Sequence, residues 1–353
     1  MRHVTDLETP AVTVLLDRLE ANIARAQAAI AGQGVGNRPH IKTHKIPAIG
    51  RMQMEAGAIG ITCQKLGEVE VFIDAGVSDD MLLTFNIVGE RKTDHLMELA
   101  SRVRRLAVVA DSEAVVSGLS EAGVRHGRDV PLLIECDTGF GRVGVQNPEA
   151  ALSLARFAMD MPRIRFEGLM TYPNRSPATG EFLTRAMALL AGDGIDVSVV
   201  SGGGTPAINT LAAFPMVTEH RAGTYVYNDR MMMAAGAAAL ENCAMHVRAT
   251  VVSVPTSERA VIDAGSKVLT REQYGLTGFG LVVEYPDALV SGLSEEHGMI
   301  DLSRSATKPK VGEVVSIIPN HCCVVSNMVD AVFGIRDGAV ETEWAVAARG
   351  KVL

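Results

Sequence analysis

Cysteine is scarce in this chain, and its spacing is irregular. The 353 residues include five cysteines, an odd number without the regular spacing of a disulfide framework. Such usage is typical of proteins in a reducing compartment, where thiols stay free or bind metals. The sequence therefore predicts free thiols or a metal site instead of disulfide bonds.

Excess positive charge, long apolar runs and an apolar leader are also missing. The formal net charge is -8, which argues against binding to nucleic acid or to an acidic membrane surface. No apolar run reaches the ~18 residues that a membrane span needs. Residues 1–8 lack the apolar segment of a secretory signal. These absences predict a cytoplasmic protein without nucleic-acid or membrane partners.

The chain does contain a long alternation of short apolar runs with amphipathic segments. Helical spacing is found at 48–56, 66–75, 92–103, 112–122, 148–159 and 180–191. The apolar runs, which we interpret as strands, lie at 39–42, 59–64, 81–86, 106–110, 130–137, 165–172, 197–201 and 216–221. Eight such repeats predict an α/β fold with a closed (β/α)8 TIM-type barrel over residues 11–238. An open doubly wound parallel sheet is the alternative, because periodicity does not report closure.

The pattern changes near residue 239, where long helical segments stop. Short β-type runs lie at 246–254, 259–263, 280–284, 311–318, 332–335 and 340–345, and a hairpin signal stands at 336–338. We predict a C-terminal all-β domain over residues 239–353, joined by residues 1–10.

The octapeptide 38–45 is rich in cations and imidazoles. Lys42 is predicted to lie on a strand between apolar neighbours, and burial lowers the pKa of a lysine until its amine can form a Schiff base. His40 and His44 flank it and are predicted to share in catalysis. A basic surface loop is the alternative interpretation of the same residues.

Glycines mark a second motif, which follows the seventh predicted strand. Ser201, Gly202, Gly203, Gly204 and Thr205 precede a helix, and such a loop can present amides and a helix dipole to an anion. Phosphate sites after strands seven and eight recur in these barrels. Three residues after the eighth strand are predicted to add further donors to this site: Gly223, Thr224 and Tyr225. The alternative is a plain flexible turn.

A phosphate site together with a lysine on the first strand predicts pyridoxal 5'-phosphate as a cofactor. Tyr172 is placed to stack on the pyridine ring, and Arg142 to reach the phenolic oxygen. Arg221 is placed to face the ring nitrogen, where an arginine keeps that nitrogen unprotonated. Gln64, at the end of the second strand, is predicted to join the cofactor site. An ordinary tyrosine and a surface ion pair are the alternatives for Tyr172 and Arg142.

A third motif lies in the predicted β domain. In an extended segment His321 and Cys323 point the same way, and imidazole with thiolate suits zinc. Two protein ligands leave positions open for water or substrate, as in a catalytic metal site. Buried cysteines beside a structural histidine are the alternative.

These motifs together resemble the D-threonine aldolase and D-serine dehydratase family of fold-type III pyridoxal-phosphate enzymes, which are similar to alanine racemases. The resemblance spans nearly the whole chain and rests on residues 38–45, 139–144, 201–205, 221–225, 228–229, 263–267 and 319–323. It implies an alanine racemase-like barrel with a β domain, Lys42 as the Schiff-base lysine, and His321 with Cys323 as ligands of zinc, manganese or magnesium. It also implies a homodimer.

Two departures from the aldolase pattern bear on the reaction. Cys323 stands where aldolases often carry a carboxylate, as in the zinc-dependent D-serine dehydratases, and the run 172–178 lacks the histidine that aldolases tend to have a few residues after the Tyr172 position. Residues 61–68 and 86–89 nevertheless resemble the aldolase branch, so we expect a lyase that cleaves D-β-hydroxy-α-amino acids to glycine and an aldehyde. The alternative is a D-serine or D-threonine dehydratase that forms a keto acid and ammonia. More remote alternatives are an amino-acid racemase and a non-catalytic pyridoxal-phosphate-binding protein.

Overall fold

The computed structural model describes residues 2–353, and the chain divides into two compact units. The barrel unit comprises Arg25–Lys42, Ile49–Gly223 and Lys351–Leu353. The sheet unit comprises the residues up to Ala24, Thr43–Ala48 and Thr224–Gly350. The boundaries expected from the sequence, 11–238 and 239–353 with 1–10, stay a prediction.

A parallel sheet forms the centre of the barrel unit. Among the described residues it has eight strands, which lie in the spatial order Gly36–Asn37, Glu219–Arg221, Val199–Gly203, Ile164–Thr171, Val130–Cys136, Arg105–Ala110, Asp80–Leu83 and Ile61–Cys63. A parallel bridge between His40 and Thr62 joins the two ends of this order. The structure thus confirms the predicted fold class.

Apolar side chains fill the interior of this barrel. Leu82, Ala107, Val109, Leu133 and Met170 come from four neighbouring strands and pack together with at most 1% exposure. Alternate residues of a strand point to the same face, so this layer accounts for every second position of the apolar runs. The residues between them face the helices, which is why these strands read as continuous apolar runs.

Helices follow most of the parallel strands. The longer helices, in chain order, are Leu16–Ala31, Pro47–Glu55, Leu66–Asp74, Glu90–Ala100, Glu113–His126, Pro148–Asp160 and Pro177–Gly192. Two of them begin with a proline that follows a capping side chain, and the Asn147 side chain accepts from the amide of Ala150 at 2.8 Å. No helix among residues 2–353 is both long and apolar enough to cross a membrane.

The first predicted strand, 39–42, is wrong in its position. The strand is Gly36–Asn37, the His40 amide bonds to the carbonyl oxygen of Ala222, and Ile41–Thr43 forms a one-turn 3-10 helix. Pro39 has no amide hydrogen to donate, although its carbonyl oxygen accepts from the amide of Thr62 at 2.8 Å. Lys42 therefore lies in a helical turn just beyond the carboxyl end of the strand.

The sheet unit contains a mostly antiparallel sheet. In the described part of the chain it has nine strands, in the order Arg259–Ile262, Gly298–Asp301, Leu289–Leu293, Gly280–Val282, Val314–Pro319, Met245–Thr256, Ala11–Leu15, Ala331–Arg336 and Ala339–Ala345. An additional pairing of Arg259–Ile262 with Met245–Thr256 closes six of them into a small barrel. Short helices in this unit are Arg230–Ala234, Ser266–Leu269 and Cys322–Met328.

The strand Ala11–Leu15 belongs to this second sheet. It pairs antiparallel with Met245–Thr256 and parallel with Ala331–Arg336. Its apolar pattern is no different from that of a barrel strand, so local sequence does not report which sheet it joins.

Candidate functional site

His40 is a neutral, buried imidazole at the first strand end of the barrel. Its Nε2 lies 3.1 Å from Oε1 of Gln64, and the Gln64 amide group donates to the Thr84 carbonyl at 2.7 Å. Because Gln64 presents its oxygen, Nε2 of His40 carries the hydrogen and Nδ1 is an acceptor, buried without a partner among the described residues. Burial and the positive charges of Lys42 and Arg221 lower the pKa of His40 well below its usual value.

His44 has a different setting. Its ring is fully buried, and its Nδ1 accepts a hydrogen bond from the amide of Ile46 at 3.1 Å. This bond fixes the turn that leads into the helix starting at Pro47. The catalytic role of His44 stays a prediction.

Arg221 is a buried guanidinium at the end of its strand. It donates from Nη1 to the Ser201 hydroxyl at 2.5 Å and from Nη2 to the Thr171 carbonyl oxygen at 3.0 Å. Burial lowers its pKa to about 10, against the pull of Glu219 and Glu135. The group therefore stays positively charged at neutral pH.

Tyr172 borders the same place. A Cβ added at Gly203 would lie 3.2 Å from the Tyr172 ring and 3.2 Å from Nη2 of Arg221. The guanidinium carbon of Arg142 lies 5.7 Å from the centre of the Tyr172 ring, which is 39% exposed. The structure thus brings the predicted ring-stacking and ring-binding residues of the barrel unit together, and glycine at 203 leaves the space between them open.

The glycine run does not present its amides as the sequence suggested. Gly202 and Gly203 lie in the strand, and the amide of Gly203 donates to Oδ1 of Asn174 at 2.6 Å. The amide of Gly204 donates to the carbonyl oxygen of Arg221, and Gly204 has a φ of 115°, a conformation that favours glycine. Thr205 then starts the 3-10 helix Thr205–Ala213.

Asn174 is a polar residue that the sequence analysis missed. It is completely buried, and its Nδ2 has no hydrogen-bond partner among the described residues. Unsatisfied buried donors are uncommon and costly, so this amide fits an anionic ligand beside the glycines. The Arg221 cation, the Tyr172 ring and this donor together fit the ring and phosphate of pyridoxal phosphate.

Glu135 is the second residue that was missed. It is 4% exposed at the end of an interior strand. Burial raises its pKa to about 7, although Arg221 and Arg142 act in the opposite direction. Its signal in the sequence is a single carboxylate at the end of an apolar run.

The sheet unit holds a compact cluster of metal-binding side chains. One donor atom each from His321, Cys322 and Cys323 lies within 4.8 Å of the others. The predicted extended segment is wrong: His321 is extended, but Cys322–Met328 is a helix, because Asp229 accepts from the Cys322 amide at 3.1 Å and starts it. The helical turn still brings His321 and Cys323 together.

Asp229 also orients the imidazole. Its Oδ2 accepts from Nδ1 of His321 at 2.9 Å, which leaves Nε2 as the lone-pair donor to a metal. The Cys323 sulfur lies 3.1 Å from Oγ1 of Thr43 and 3.9 Å from Oγ1 of Thr224. Thr224 therefore lies beside this cluster, and the buried Tyr225 follows it in the turn Thr224–Val226.

The electrostatics distinguish the two thiols. Hydrogen bonding from Cys322 and the charge of His321 hold the pKa of Cys323 well below its usual value, whereas burial raises the pKa of Cys322. Burial opposes the imidazolium, yet the Cys323 thiolate and Asp229 raise the pKa of His321 to about 10. A thiolate and an imidazole are common ligands of divalent metals, and binding of the metal would release the imidazolium proton, so the donor set fits a metal.

Two family models and a known enzyme match most of this chain. The family model "Alanine racemase, N-terminal domain" matches residues 14–231, and the model "Putative serine dehydratase domain" matches residues 244–335. A D-threonine aldolase of Arthrobacter sp. is 34% identical over 98% of this chain and 93% of that protein.

The chain belongs to the D-threonine aldolase and D-serine dehydratase family.

Solved structures of this family share the whole fold. The D-threonine aldolase of Filomicrobium marinum has a TM-score of 0.91 and 31% identity, over 99% of this chain and 97% of that one. A cysteine-to-alanine variant of D-threo-3-hydroxyaspartate dehydratase, solved in the metal-free form, has a TM-score of 0.88 and 29% identity, over 98% and 99%. The family therefore contains carbon–carbon and carbon–oxygen lyases with this one architecture.

Proposed function

We propose that this protein is a lyase that depends on pyridoxal phosphate and a divalent metal, and that it cleaves D-β-hydroxy-α-amino acids to glycine and an aldehyde. The observation that carries the proposal is the 34% identity, over 98% of this chain, to the D-threonine aldolase of Arthrobacter sp.. The His321–Cys323 pair with Asp229 behind it is the proposed metal site. Cys323 contacts Thr43, the residue bonded to Lys42.

Each end of the cofactor has proposed partners. Lys42 holds the aldehyde carbon, Tyr172 covers the ring face and Arg221 faces the ring nitrogen. Asn174, and Thr205 at the start of its 3-10 helix, hold the phosphate. When bound, the cofactor supplies an electron sink for the bond broken at Cα, and the metal acidifies the substrate hydroxyl.

The remaining polar residues are proposed to control protons. His40 is neutral because its pKa is low, so its bare Nδ1 serves as a hydrogen-bond acceptor instead of a strong base. Cys323, as a thiolate, lowers the charge of the bound metal, and His321 is fixed in one tautomer by Asp229. The retro-aldol reaction removes the proton of the β-hydroxyl and none from Cα, whereas in the dehydratase alternative the Lys42 amine would take the proton from Cα.

A dehydratase that forms a keto acid and ammonia is the second candidate. Cys323 favours it, since a thiolate stands at the position where a carboxylate is frequent in the aldolases. The two reactions use the same cofactor and the same metal ligands. They differ in whether the bond from Cα to Cβ or the bond from Cβ to oxygen breaks.

Product analysis with D-threonine tests the proposal. We expect glycine and acetaldehyde in equal amounts, loss of activity with a chelator, and recovery with zinc or manganese. Formation of 2-oxobutanoate and ammonia would instead support the dehydratase, and turnover unaffected by the chelator would contradict a catalytic metal. Borohydride reduction should fix the cofactor on the Lys42 peptide. The variant Lys42→Ala should lose both the label and the activity, whereas Lys92→Ala, in the helix Glu90–Ala100, should keep both.

A further inference from the structure

A line of buried polar side chains runs through the barrel unit behind Arg221. Ser201 is paired with Glu219 across neighbouring parallel strands, and Gly203 with Arg221. Glu219 and Arg221 are two residues apart, so both point into the barrel. Exposure is 0% for Ser201, 4% for Glu219 and 5% for Arg221. None of these contacts is explained by binding of a phosphate.

The hydrogen bonds along this line have only one possible direction. A guanidinium only donates, and a carboxylate only accepts. Arg221 Nη1 lies 2.5 Å from the Ser201 hydroxyl, and that hydroxyl lies 2.7 Å from Oε1 of Glu219. The single hydrogen of Ser201 must therefore point to Glu219, which leaves its oxygen to accept from Arg221.

The carboxylate has its own counter-charge. Oε2 of Glu219 accepts from Nε of Arg38 at 2.7 Å, and Arg38 donates from Nη1 to Asp80 at 2.7 Å. Arg38 is 4% exposed. Both oxygens of Glu219 therefore accept hydrogen bonds, Oε1 from Ser201 and Oε2 from Arg38. The charge of Arg38 balances that of Glu219 without Arg221.

The hydroxyl between Glu219 and Arg221 has a chemical consequence. A direct ion pair would occupy two N–H groups of Arg221, whereas the serine link occupies one. The structure gives Arg221 one further bond, to the Thr171 carbonyl oxygen, so three of its five N–H groups remain for a ligand. Charge-assisted hydrogen bonds of this kind are strong and directional, so the guanidinium is fixed without losing its donors.

We propose that Ser201 and Glu219 are positioning residues for Arg221: the Glu219 carboxylate, acting through the Ser201 hydroxyl, holds the guanidinium at the pyridine nitrogen of the bound cofactor and sets how strongly it donates there. This inference rests on the proposed function, because it needs a pyridine ring beside Arg221. It moves Ser201 from the phosphate end of the cofactor to the ring-nitrogen end.

The test uses holoenzyme of the variants Ser201→Ala and Glu219→Gln. Ser201→Ala removes the link but keeps the Glu219–Arg38 pair, and Glu219→Gln keeps the size of the side chain but removes its charge. We expect both to shift the cofactor absorption band and its pH titration. We also expect kcat to fall about tenfold, the size of one lost charge-assisted hydrogen bond, with little change in KM. Ser201→Thr keeps the hydroxyl group, so we expect it to retain the wild-type spectrum and rate.

Ser120→Ala is the matched control. Ser120 is equally buried, and its hydroxyl donates to the Pro162 carbonyl oxygen at 2.7 Å from the helix Glu113–His126. The inference would be overturned if the absorption spectra and pH titrations of Ser201→Ala and Glu219→Gln match those of Ser120→Ala. This holds even if the variants differ in their free energy of unfolding. If Ser201→Ala does not fold, Glu219→Gln decides by the same readouts.

Comparison of two ligands separates the two ends of the cofactor. Apoprotein is titrated with pyridoxal phosphate and with pyridoxal, which lacks the phosphate. We expect Ser201→Ala to raise the dissociation constants of pyridoxal phosphate and of pyridoxal by the same factor. Weakening confined to pyridoxal phosphate assigns Ser201 to the phosphate and overturns the inference while the proposed function stands. If the wild-type protein binds neither ligand, the proposed function itself fails.

Discussion

Oδ2 of Asp229 accepts two hydrogen bonds at once, from Nδ1 of His321 at 2.9 Å and from the amide of Cys322 at 3.1 Å. One carboxylate thus fixes the imidazole and starts the helix that carries both cysteines. It is completely buried, so its geometry varies little. The arrangement would hold the proposed ligand His321, and the helix that carries the proposed ligand Cys323, in place before a metal binds.

We expect Asp229→Asn to weaken metal binding by about 10-fold to 100-fold, because partners behind a ligand set its orientation and basicity. The asparagine can still accept one hydrogen bond, so the helix should persist. The measurement is competition with a chromophoric chelator for zinc. Asp287→Asn, on the surface of the same unit, is the control. Equal zinc affinity for both variants would show that Asp229 serves folding alone.

The second prediction concerns binding of the cofactor phosphate and rests on Asn174. Its Oδ1 is bound to the Gly203 amide, while its buried Nδ2 has no partner among residues 2–353. In Asn174→Asp the acceptor is kept and the donor becomes a carboxylate oxygen. We expect the dissociation constant of pyridoxal phosphate to rise at least about tenfold, and that of pyridoxal, which has no phosphate, to stay the same.

Titration of apoprotein by absorbance measures both constants. A loss of affinity for pyridoxal as large as that for pyridoxal phosphate would mean that Asn174 acts on the shape of the pocket and not on the phosphate. Asn147→Asp, at a distant helix cap where an aspartate also accepts from Ala150, is the matched control.

The barrel itself could be predicted because its signals are local. A strand such as Val130–Cys136 is buried along its whole length and reads as one apolar run, and each helix between strands carries its own periodicity. The position of Lys42 was harder, since the bond from the His40 amide to the Ala222 carbonyl oxygen directly precedes the turn Ile41–Thr43. That bond joins residues far apart in the chain.

The partners of the site residues could not be predicted for the same reason. Asp229 and His321 are 92 residues apart, and Ser201 and Glu219 meet only because of the register of two parallel strands. A serine before three glycines resembles a phosphate loop whichever way its hydroxyl points. Asn174 gives no periodic signal at all, since it lies in a loop.

The buried ion network yields a third prediction, on stability. Arg38 lies between Asp80 and Glu219, with both contacts at 2.7 Å. Arg38→Met leaves Glu219 without its counter-charge, and removal of one partner of a buried pair costs about 3–5 kcal/mol. We expect a matching fall in the free energy of unfolding in urea. Arg156→Ala, which removes an exposed pair with Asp193, should leave it nearly unchanged. An equal fall in the free energy of unfolding for Arg38→Met and Arg156→Ala would show that burial does not increase the contribution of the ion pair.

The fourth prediction concerns acid and rests on His246. This residue is 8% exposed on the strand Met245–Thr256, and its Nε2 has no partner among the described residues. Burial, helped by the charge of Arg18, lowers its pKa from 6.5 to about 4. The unfolded chain therefore binds a proton at a higher pH than the folded protein does. Stability from this group is complete above pH 6.5 and is lost as the pH falls from there to about 4.

At pH 5 the loss from His246 amounts to about 2 kcal/mol relative to pH 8. His246→Gln cannot take up the proton, so we expect the fall in unfolding free energy between pH 8 and pH 5 to be smaller by about that amount. His220, whose pKa burial also lowers to about 4, should account for part of the slope that remains. Urea unfolding at pH 8, 6 and 5 measures the effect, with the exposed His297→Gln as control. An unchanged slope in His246→Gln would mean that the imidazole finds a partner for its proton in the folded state.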